Sequence, residues 1–175
     1  MSDSLNNDLA KISEWGLANR VDFNASKTQG CLLTHKRTPD LSPKPNISGV
    51  DIDDAGSIEI LGMNIQNDLR WNSHIFNVAK DASKCLGFLK RCKKYFSAAD
   101  LKNIYTTFIR PKMEYNSHIW AGASRISLEL LDRVQRRAIK LIGDSGISSS
   151  IDSLGHRRNV GCVALFYRYF TSCRQ

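Results

Sequence analysis

The segment LLDRVQRRAIKLI, residues 130–142, holds four basic side chains that are suited to binding phosphate groups. They are Arg133, Arg136, Arg137 and Lys140. Because they follow one another at steps of three, one and three, they share one sector of an α-helix, and apolar side chains fill another sector. The planar guanidinium group of arginine can bind two phosphate oxygens at once, so this sector predicts a phosphate-binding face. The alternative interpretation is a charged face that is simply solvated.

The elements that must position this face are helices, because the chain from Asn72 onward repeats apolar residues at helical spacing. A long amphipathic helix is predicted from Asn72 to Leu89, and Ser97 can cap a second helix. Pro111 is expected either to kink that helix or to open the next one. Further basic residues lie on the open faces of the long helix: Lys80, Lys84, Lys90, Arg91, Lys93 and Lys94. The recurrence of positive charge over consecutive helices favours a groove that follows phosphates.

Two more features complete the helical half. Small residues predict a break at Gly122–Ser124 and a linker at Gly143–Ser150, and a last helix is predicted over His156–Phe170. The aromatic residues Trp120 and Phe166 are assigned to the core of the helical bundle, where large aromatic side chains are most often found.

The first 71 residues mix helix and strand patterns, so the chain as a whole is predicted to have an α+β fold. Leucine, isoleucine and tryptophan residues at helical spacing predict a helix over residues 4–19. Three prolines predict a mobile loop at 37–46. Alternating or continuous apolar runs predict short strands at residues 21–24, 30–35, 47–52 and 57–65.

The charge of the chain is concentrated in the helical half. Residues 1–71 hold 7 Lys and Arg against 10 Asp and Glu, whereas residues 72–175 hold 18 Lys and Arg against 7 Asp and Glu. A basic half of this kind predicts a polyanionic partner. Nucleic acid is the first candidate, and an anionic membrane surface is the second. The apolar fraction of 42% excludes a chain that is disordered throughout.

The cysteines and histidines give no sign of a metal or disulfide framework. Five cysteines occur, no two of them as C-x-x-C, and the four histidines are not at zinc-ligand spacing with them. Reduced thiols, no metal site in this chain and an intracellular location, nuclear or cytoplasmic, are therefore expected. Neither a signal peptide nor a membrane-spanning run is visible, so no membrane partner is expected.

Five segments in order resemble one family. They are DLAKISEWGLANRVDFNASKT, IEILGMNIQNDLRWNSHI, YTTFIRPKMEYNSHIWAGAS, LLDRVQRRAIKLI and LGHRRNVGCVALFYRYF. Together they resemble the reverse transcriptases (RNA-directed DNA polymerases) of jockey-type insect non-LTR retrotransposons. The resemblance covers nearly the whole chain. It implies that residues 1–71 correspond to the end of the palm and residues 72–175 to a helical thumb, and that the front of the palm and the fingers are missing.

The resemblance also bears on catalysis. The complete family enzyme implies Mg²⁺ held by carboxylates from separate palm motifs, and its Tyr/Phe-x-Asp-Asp box precedes the turn that contains Lys27. The adjacent pair Asp53–Asp54 follows that turn, so we interpret it as loop. Without the box, the chain is expected to bind primer–template without polymerising alone. In the family the Lys27 turn faces the leaving pyrophosphate, where a lysine can donate a proton. The alternative interpretation is that Asn24, Ser26 and Thr28 only shape a turn and Lys27 lies in water.

The resemblance implies further nucleic-acid contacts. Leu61 and Gly62 match a primer-grip-like strand, where a glycine lets the backbone approach the primer; a β-bulge is the alternative. Arg157 and Arg158 open the last helix and suit a phosphate there, although a solvated helix start is as reasonable. Basic side chains of the thumb-like half complete the expected interface with RNA and DNA: Lys80, Lys84, Arg91, Arg133, Arg136, Arg137 and Lys140.

Two other functions compete with this interpretation. A helical scaffold that contacts proteins would use its charges for solubility, and a co-opted nuclear protein would use the same basic surface for regulation. A partner role for the palm and fingers of a fuller copy is also open. Steep weakening of duplex binding by salt distinguishes the nucleic-acid interpretations from the scaffold.

Overall fold

A computed structural model describes residues 2–34 and 44–173. The chain divides into two compact units, Met1–Arg70 and Trp71–Gln175. The first combines one helix with two small antiparallel sheets and the second is helical, so the predicted α+β fold is confirmed. Most of the proline-rich loop predicted at 37–46 lies outside the described residues. No helix within the described residues is long and apolar enough to cross a membrane.

The first unit begins with α1, Ser2–Asn19, which covers the predicted helix. A short 3₁₀ turn, Ala25–Lys27, follows it. Two antiparallel hairpins then form: β1, Asn46–Ile47, pairs with β2, Val50–Asp51, and β3, Ser57–Ile60, pairs with β4, Met63–Gln66.

The strands predicted at 21–24 and 30–35 are wrong wherever the structure describes them. The backbone N–H of Val21 donates to the carbonyl oxygen of Gly16 at 2.8 Å, which ends α1 there. The side chain of Asn24 then accepts from the backbone N–H of Ser26 at 3.0 Å and caps the 3₁₀ turn. Only an isolated bridge from Gly30 remains. Local hydrogen bonds to side chains and to the helix end therefore outcompete the strand propensity.

Each of the two later predicted strands is in fact a hairpin. The segment 47–52 reverses at Ser48–Gly49, and the segment 57–65 reverses at Leu61–Gly62. Leu61 and Gly62 have φ angles of 50° and 75°, as a two-residue hairpin turn of the favoured twist requires. Gly62 is therefore explained by its positive φ, and the bulge considered from the sequence is wrong.

The first unit buries few side chains. Ile52 and Met63 are its buried hydrophobic residues among those described. Many large apolar side chains stay exposed, including Leu5, Ile12, Trp15, Leu17, Val21, Phe23, Leu33, Val50, Ile60, Leu61 and Leu69. A unit of this kind gains little free energy from burial.

The second unit is a bundle of helices. Its elements are α2 Asn72–Cys92, a 3₁₀ turn Lys93–Tyr95, α3 Ala98–Ile104, a π-helical segment Tyr105–Ile109, α4 Arg110–Glu114, α5 Ser117–Trp120, α6 Arg125–Ile142, α7 Ser145–Ser148 and α8 Leu154–Ser172. The helices predicted at 72–89, from Ser97, within 125–142 and at 156–170 are confirmed. The linker predicted at 143–150 is partly wrong, because Asp144 caps the short helix α7 there.

Specific residues set the ends of these helices. Ser97 and Asp100 form a reciprocal capping box at the start of α3. Pro111 cannot donate a backbone hydrogen bond, and the π-helical segment before it accommodates the loss, so the predicted kink takes the form of a π-bulge. Ser124 caps α6, and Gly143, with a φ of 74°, ends it in a left-handed conformation.

The core of the second unit lies where α2 packs on α6. The buried hydrophobic side chains of α2 are Ile75, Ala79, Ala82, Leu86 and Leu89, and those of α6 are Leu131, Val134, Ala138 and Ile142. Trp120 is 1% exposed and joins this core, as predicted. Phe166 is 69% exposed, so its assignment to the core was wrong. From Asn159 onward α8 offers most of its side chains to solvent, which leaves Phe166 without a core to enter.

Truncation of a core residue should destabilise this bundle strongly. Leu131 is 0% exposed, so Leu131→Ala should lower the free energy of unfolding by about 2–5 kcal/mol through lost burial and a residual cavity. Ile126 lies on the same helix but is 83% exposed, so Ile126→Ala should change it by no more than about 0.5 kcal/mol. Chemical denaturation followed by circular dichroism measures both, and equal effects would contradict the assigned packing.

His74 is buried between two tryptophans. Its ring centroid lies 6.1 Å from that of Trp71 and 6.2 Å from that of Trp120, and the residue is 5% exposed. Burial lowers the pKa of His74 below its ordinary value because the charged imidazolium loses its hydration. The folded unit therefore holds His74 in its neutral form at neutral pH.

This burial predicts a loss of stability in mild acid. Below the ordinary histidine pKa of about 6.5, His74 binds a proton in the unfolded chain but stays neutral in the folded unit. The free energy of unfolding should therefore decrease as the pH is lowered through this range. Hydrogen bonds lower the pKa values of the Asp81, Asp100 and Glu129 carboxyl groups from an ordinary range of about 4, so these groups do not contribute in this window. Denaturant titrations at pH values above and about one unit below 6.5 measure the change, and His74→Gln should abolish it.

Candidate nucleic-acid interface

An open cleft with a volume of about 600 Å³ runs between α2 and α6. Each helix forms one wall of the cleft. The apolar faces of α2 and α6 pack together in the core, and the adjacent faces of the two helices diverge toward the surface. The lining residues are Phe76, Ala79, Lys80 and Ser83 from α2 and Leu130, Arg133, Arg136, Arg137 and Lys140 from α6. All four basic residues that the sequence placed on one helix sector thus line one cleft.

The cleft continues toward the C-terminal end of α2. A second part of about 530 Å³ shares Ser83, Arg137 and Lys140 with the first, so the two form one groove, called here the α2–α6 cleft. The second part adds Leu86, Gly87, Lys90, Lys93 and Leu141 to the lining. Sequence reasoning put Lys90 and Lys93 on open helix faces but left them out of the interface. The sequence signal that could have identified this wall of the cleft is a spacing of three and four residues. It places one set of residues on a single sector of α2: Phe76, Lys80, Ser83, Gly87 and Lys90.

Among the described residues, one acidic side chain, Glu129, pairs with the basic residues of α6, and it stands outside the cleft lining. Glu129 pairs with Arg136 and lies 3.8 Å from the Nε atom of Arg133. The hydrogen bond from Arg136 keeps the pKa of the Glu129 carboxyl below its ordinary range. Both arginine side chains nonetheless stay more than half exposed, at 64% and 56%. Pairs this exposed are weak in water and leave the guanidinium groups able to exchange partners.

Arg137 links the two walls of the cleft. One of its terminal nitrogens, Nη2, donates to the Oγ of Ser83 on α2 at 2.8 Å, and the residue remains exposed. This hydrogen bond holds the guanidinium group over the cleft without neutralising it. Lys140 is exposed one turn further along.

The cleft has a strongly one-sided charge. Seven basic side chains line it, Lys80, Lys90, Lys93, Arg133, Arg136, Arg137 and Lys140, and no acidic side chain of the described residues does. Like charges crowded along a groove raise the local concentration of anions. The groove therefore matches the charge and linear form of a sugar–phosphate backbone.

Two predicted contacts on α2 lie outside this cleft. Lys84 pairs with Asp81 at 2.8 Å, and the guanidinium carbon of Arg91 lies 5.9 Å from the centroid of the Phe88 ring. Neither residue lines either part of the α2–α6 cleft. Of the α2 residues assigned to the interface from the sequence, the structure brings only Lys80 to it.

Arg157 and Arg158 are tied into the bundle instead of projecting from a helix start. Arg157 forms a two-point pair with Glu114, through Nε to one carboxylate oxygen and through Nη2 to the other at 3.0 Å. This pair raises the pKa of Arg157 above its ordinary value. Arg158 is 7% exposed and lies 3.9 Å from Asp132. Neither alternative weighed from the sequence, a phosphate site or a solvated start, describes this arrangement.

Leu61 and Gly62 belong to the other unit. They form the turn of the β3–β4 hairpin, where Leu61 is 81% exposed and a side chain at Gly62 would meet no atom within 4 Å. A turn with this much open space permits close approach of another chain. Their assignment to a primer contact stays a prediction.

Lys27 lies at the end of the 3₁₀ turn and is exposed. The turn is held by Asn24, which accepts from Ser26, and by Thr28, whose hydroxyl donates to the Asn24 carbonyl oxygen at 3.1 Å. Those three residues explain the local geometry without Lys27. The suggested proton-donating role of Lys27 stays a prediction.

The adjacent carboxylates Asp53 and Asp54 do not fit the two-metal site of the enzymes that the chain resembles, because local contacts hold both. Asp53 pairs with Lys44 at 2.6 Å, a contact that lowers the pKa of Asp53 chiefly through its hydrogen bond. Asp54 accepts from the backbone N–H groups of Leu32 at 3.2 Å and Gly56 at 3.3 Å and so shapes a loop. No group of three or more His, Cys, Asp or Glu in the described ranges could hold a metal ion.

The pairing of Arg157 predicts a structural effect without an effect on nucleic-acid binding. Arg157→Gln should lower the free energy of unfolding by about 1–2 kcal/mol, because Glu114 is 18% exposed and would lose its two-point partner. The salt dependence of binding by the folded protein should not change. Arg168→Gln, an exposed change on the same helix, is the control and should be neutral within about 0.5 kcal/mol. A flattened salt dependence for Arg157→Gln would place Arg157 in the interface after all.

No protein-family model, curated protein or solved structure matches the chain.

Proposed function

We propose that the helical unit binds the primer–template duplex of RNA and DNA, holding phosphates along the α6 wall of the α2–α6 cleft. The single observation that carries this proposal is the cleft itself, which gathers seven basic side chains and no described acidic one. Arginines predominate on the α6 wall, and their forked donors suit phosphate oxygens better than a lysine ammonium does.

The resemblance of five ordered segments to jockey-type reverse transcriptases supports the same proposal. In those enzymes the region after the palm is the thumb, and the family function is RNA-directed DNA synthesis with Mg²⁺. Because the carboxylates described here do not fit the metal site, we propose binding of primer–template by this chain without polymerase activity of its own.

A second candidate function rests on a different surface. The outer part of α8 exposes Val163 at 67% and the stacked rings of Phe166 and Phe170 at 69% and 46%. Exposed apolar groups of this kind occur at protein–protein interfaces, so a helical interaction scaffold is the competing proposal. Such a scaffold would not need the α2–α6 cleft.

Charge reversal in the cleft tests the first proposal. The double variant Arg133→Glu/Arg137→Glu should weaken binding to an RNA–DNA duplex by roughly tenfold or more, because two charge-assisted contacts become repulsive. The slope of log affinity against log salt should flatten by about two, since each lost phosphate contact removes about 0.9. Fluorescence anisotropy across a salt series measures both quantities, and circular dichroism should show an unchanged helical signal.

The matched control is Lys94→Glu/Arg168→Glu, which changes the net charge equally at exposed sites outside the cleft. It should leave the salt slope close to that of the unaltered protein. If the cleft variant and the control behave alike, binding follows the overall charge only. If the unaltered protein does not bind duplex even at low salt, the scaffold is favoured.

A further inference from the structure

The α2–α6 cleft contains a feature that phosphate binding does not require. Its lining includes Ala79 and Leu86 on α2 and Leu130 and Leu141 on α6, so an apolar floor lies between the two basic edges. At one end the ring of Phe76 joins this lining although the residue is 56% exposed. A surface built for phosphates alone gains nothing from an exposed aromatic ring.

The position of Phe76 on α2 explains its exposure. Ile75, Ala79 and Ala82 occupy the sector of α2 that faces the core, and Phe76 stands on the neighbouring sector with Lys80 one turn away. The ring of Phe76 therefore lies at the cleft and does not pack in the core of the bundle. Arg133, on the facing helix, lines the same part of the cleft.

Gly87 keeps the other part of the cleft open. A Cβ atom at this position would meet no atom within 4 Å, so there is open space beside the backbone of α2 there. Glycine in a helix interior costs about 1 kcal/mol relative to alanine, so the open space is not explained by helix stability.

These features distinguish a single strand from a duplex. Inside a duplex each base is already stacked on both sides, so a duplex can place phosphates on the basic edges but offers no free base face to the ring of Phe76. A single strand has unstacked bases that can lie on an aromatic ring while its backbone follows a basic groove.

We infer that the α2–α6 cleft binds a single-stranded segment of nucleic acid, with a base stacked on Phe76 and adjacent phosphates held by Arg133 and Arg137. The inference rests on the proposed function, because it places a polyanion in the same cleft. It goes beyond that function by adding a second ligand form, a single strand besides the duplex, and by naming the stacking residue.

Removal of the ring is the first test. The probes are a labelled oligothymidylate single strand and a blunt-ended RNA–DNA duplex, each measured by anisotropy. Phe76→Leu should weaken binding of the single strand roughly tenfold, and it should change binding of the duplex by less than about twofold. Phe76→Trp should restore binding of the single strand and add a tryptophan signal that the bound base quenches.

Phe88→Leu is the matched control, because Phe88 is on the same helix, is 62% exposed and does not line the cleft. It should leave both affinities unchanged. Gly87→Leu is an independent test that fills the open part of the cleft. It should weaken binding of the single strand, whereas the thermal midpoint should not fall, because leucine is a better helix former than glycine.

The outcomes separate this inference from the function on which it rests. If Phe76→Leu and Gly87→Leu leave binding of the single strand unchanged while Arg133→Glu/Arg137→Glu weakens duplex binding, the inference is overturned and the proposed function stands. Equal weakening of single strand and duplex by Phe76→Leu also overturns it. If the arginine reversals change neither affinity, the proposed function itself fails. Binding of an acidic amphipathic peptide in the cleft, without binding of either the single strand or the duplex, overturns both.

Discussion

The packing of α2 on α6 is the contact on which the rest of the helical unit depends. Small side chains at Ala79, Ala82 and Ala138 let the two helices approach closely, and Leu131 and Val134 are sealed between them. Because each helix has one apolar stripe, this contact also decides which sectors face outward on either side of the seam. The α2–α6 cleft is therefore a direct consequence of the core beneath it.

The same contact concentrates positive charge, which has an energetic cost. Seven basic side chains along one groove repel one another, and the partial compensation comes from Glu129 and from the hydrogen bond between Arg137 and Ser83. By contrast, Arg157 is matched with Glu114 inside the bundle. The two groups of arginines thus differ in exposure. Arg133 and Arg136 share Glu129 near the solvent and stay more than half exposed, whereas the partner of Arg157, Glu114, is 18% exposed.

The first unit shows how weak packing limits a prediction. Its apolar patterns were interpreted as four single strands, yet two of them reverse at Ser48–Gly49 and Leu61–Gly62 and the others form loop where described. A leucine at a positive φ is an unusual hairpin residue, so the turn could not be identified from residue type. With Ile52 and Met63 as its buried hydrophobic residues, the unit lets local hydrogen bonds decide the backbone.

The sequence by itself determined the helices of the second unit, because helical periodicity and caps such as Ser97 act over a few residues. It also determined that Arg133, Arg136, Arg137 and Lys140 share one face of α6. Only the tertiary structure decided which basic residues meet across helices. Lys80, Lys90 and Lys93 join that face, whereas Arg157 and Arg158 turn inward to carboxylates. The reason is that residues far apart in the chain come together through packing, which no local spacing encodes.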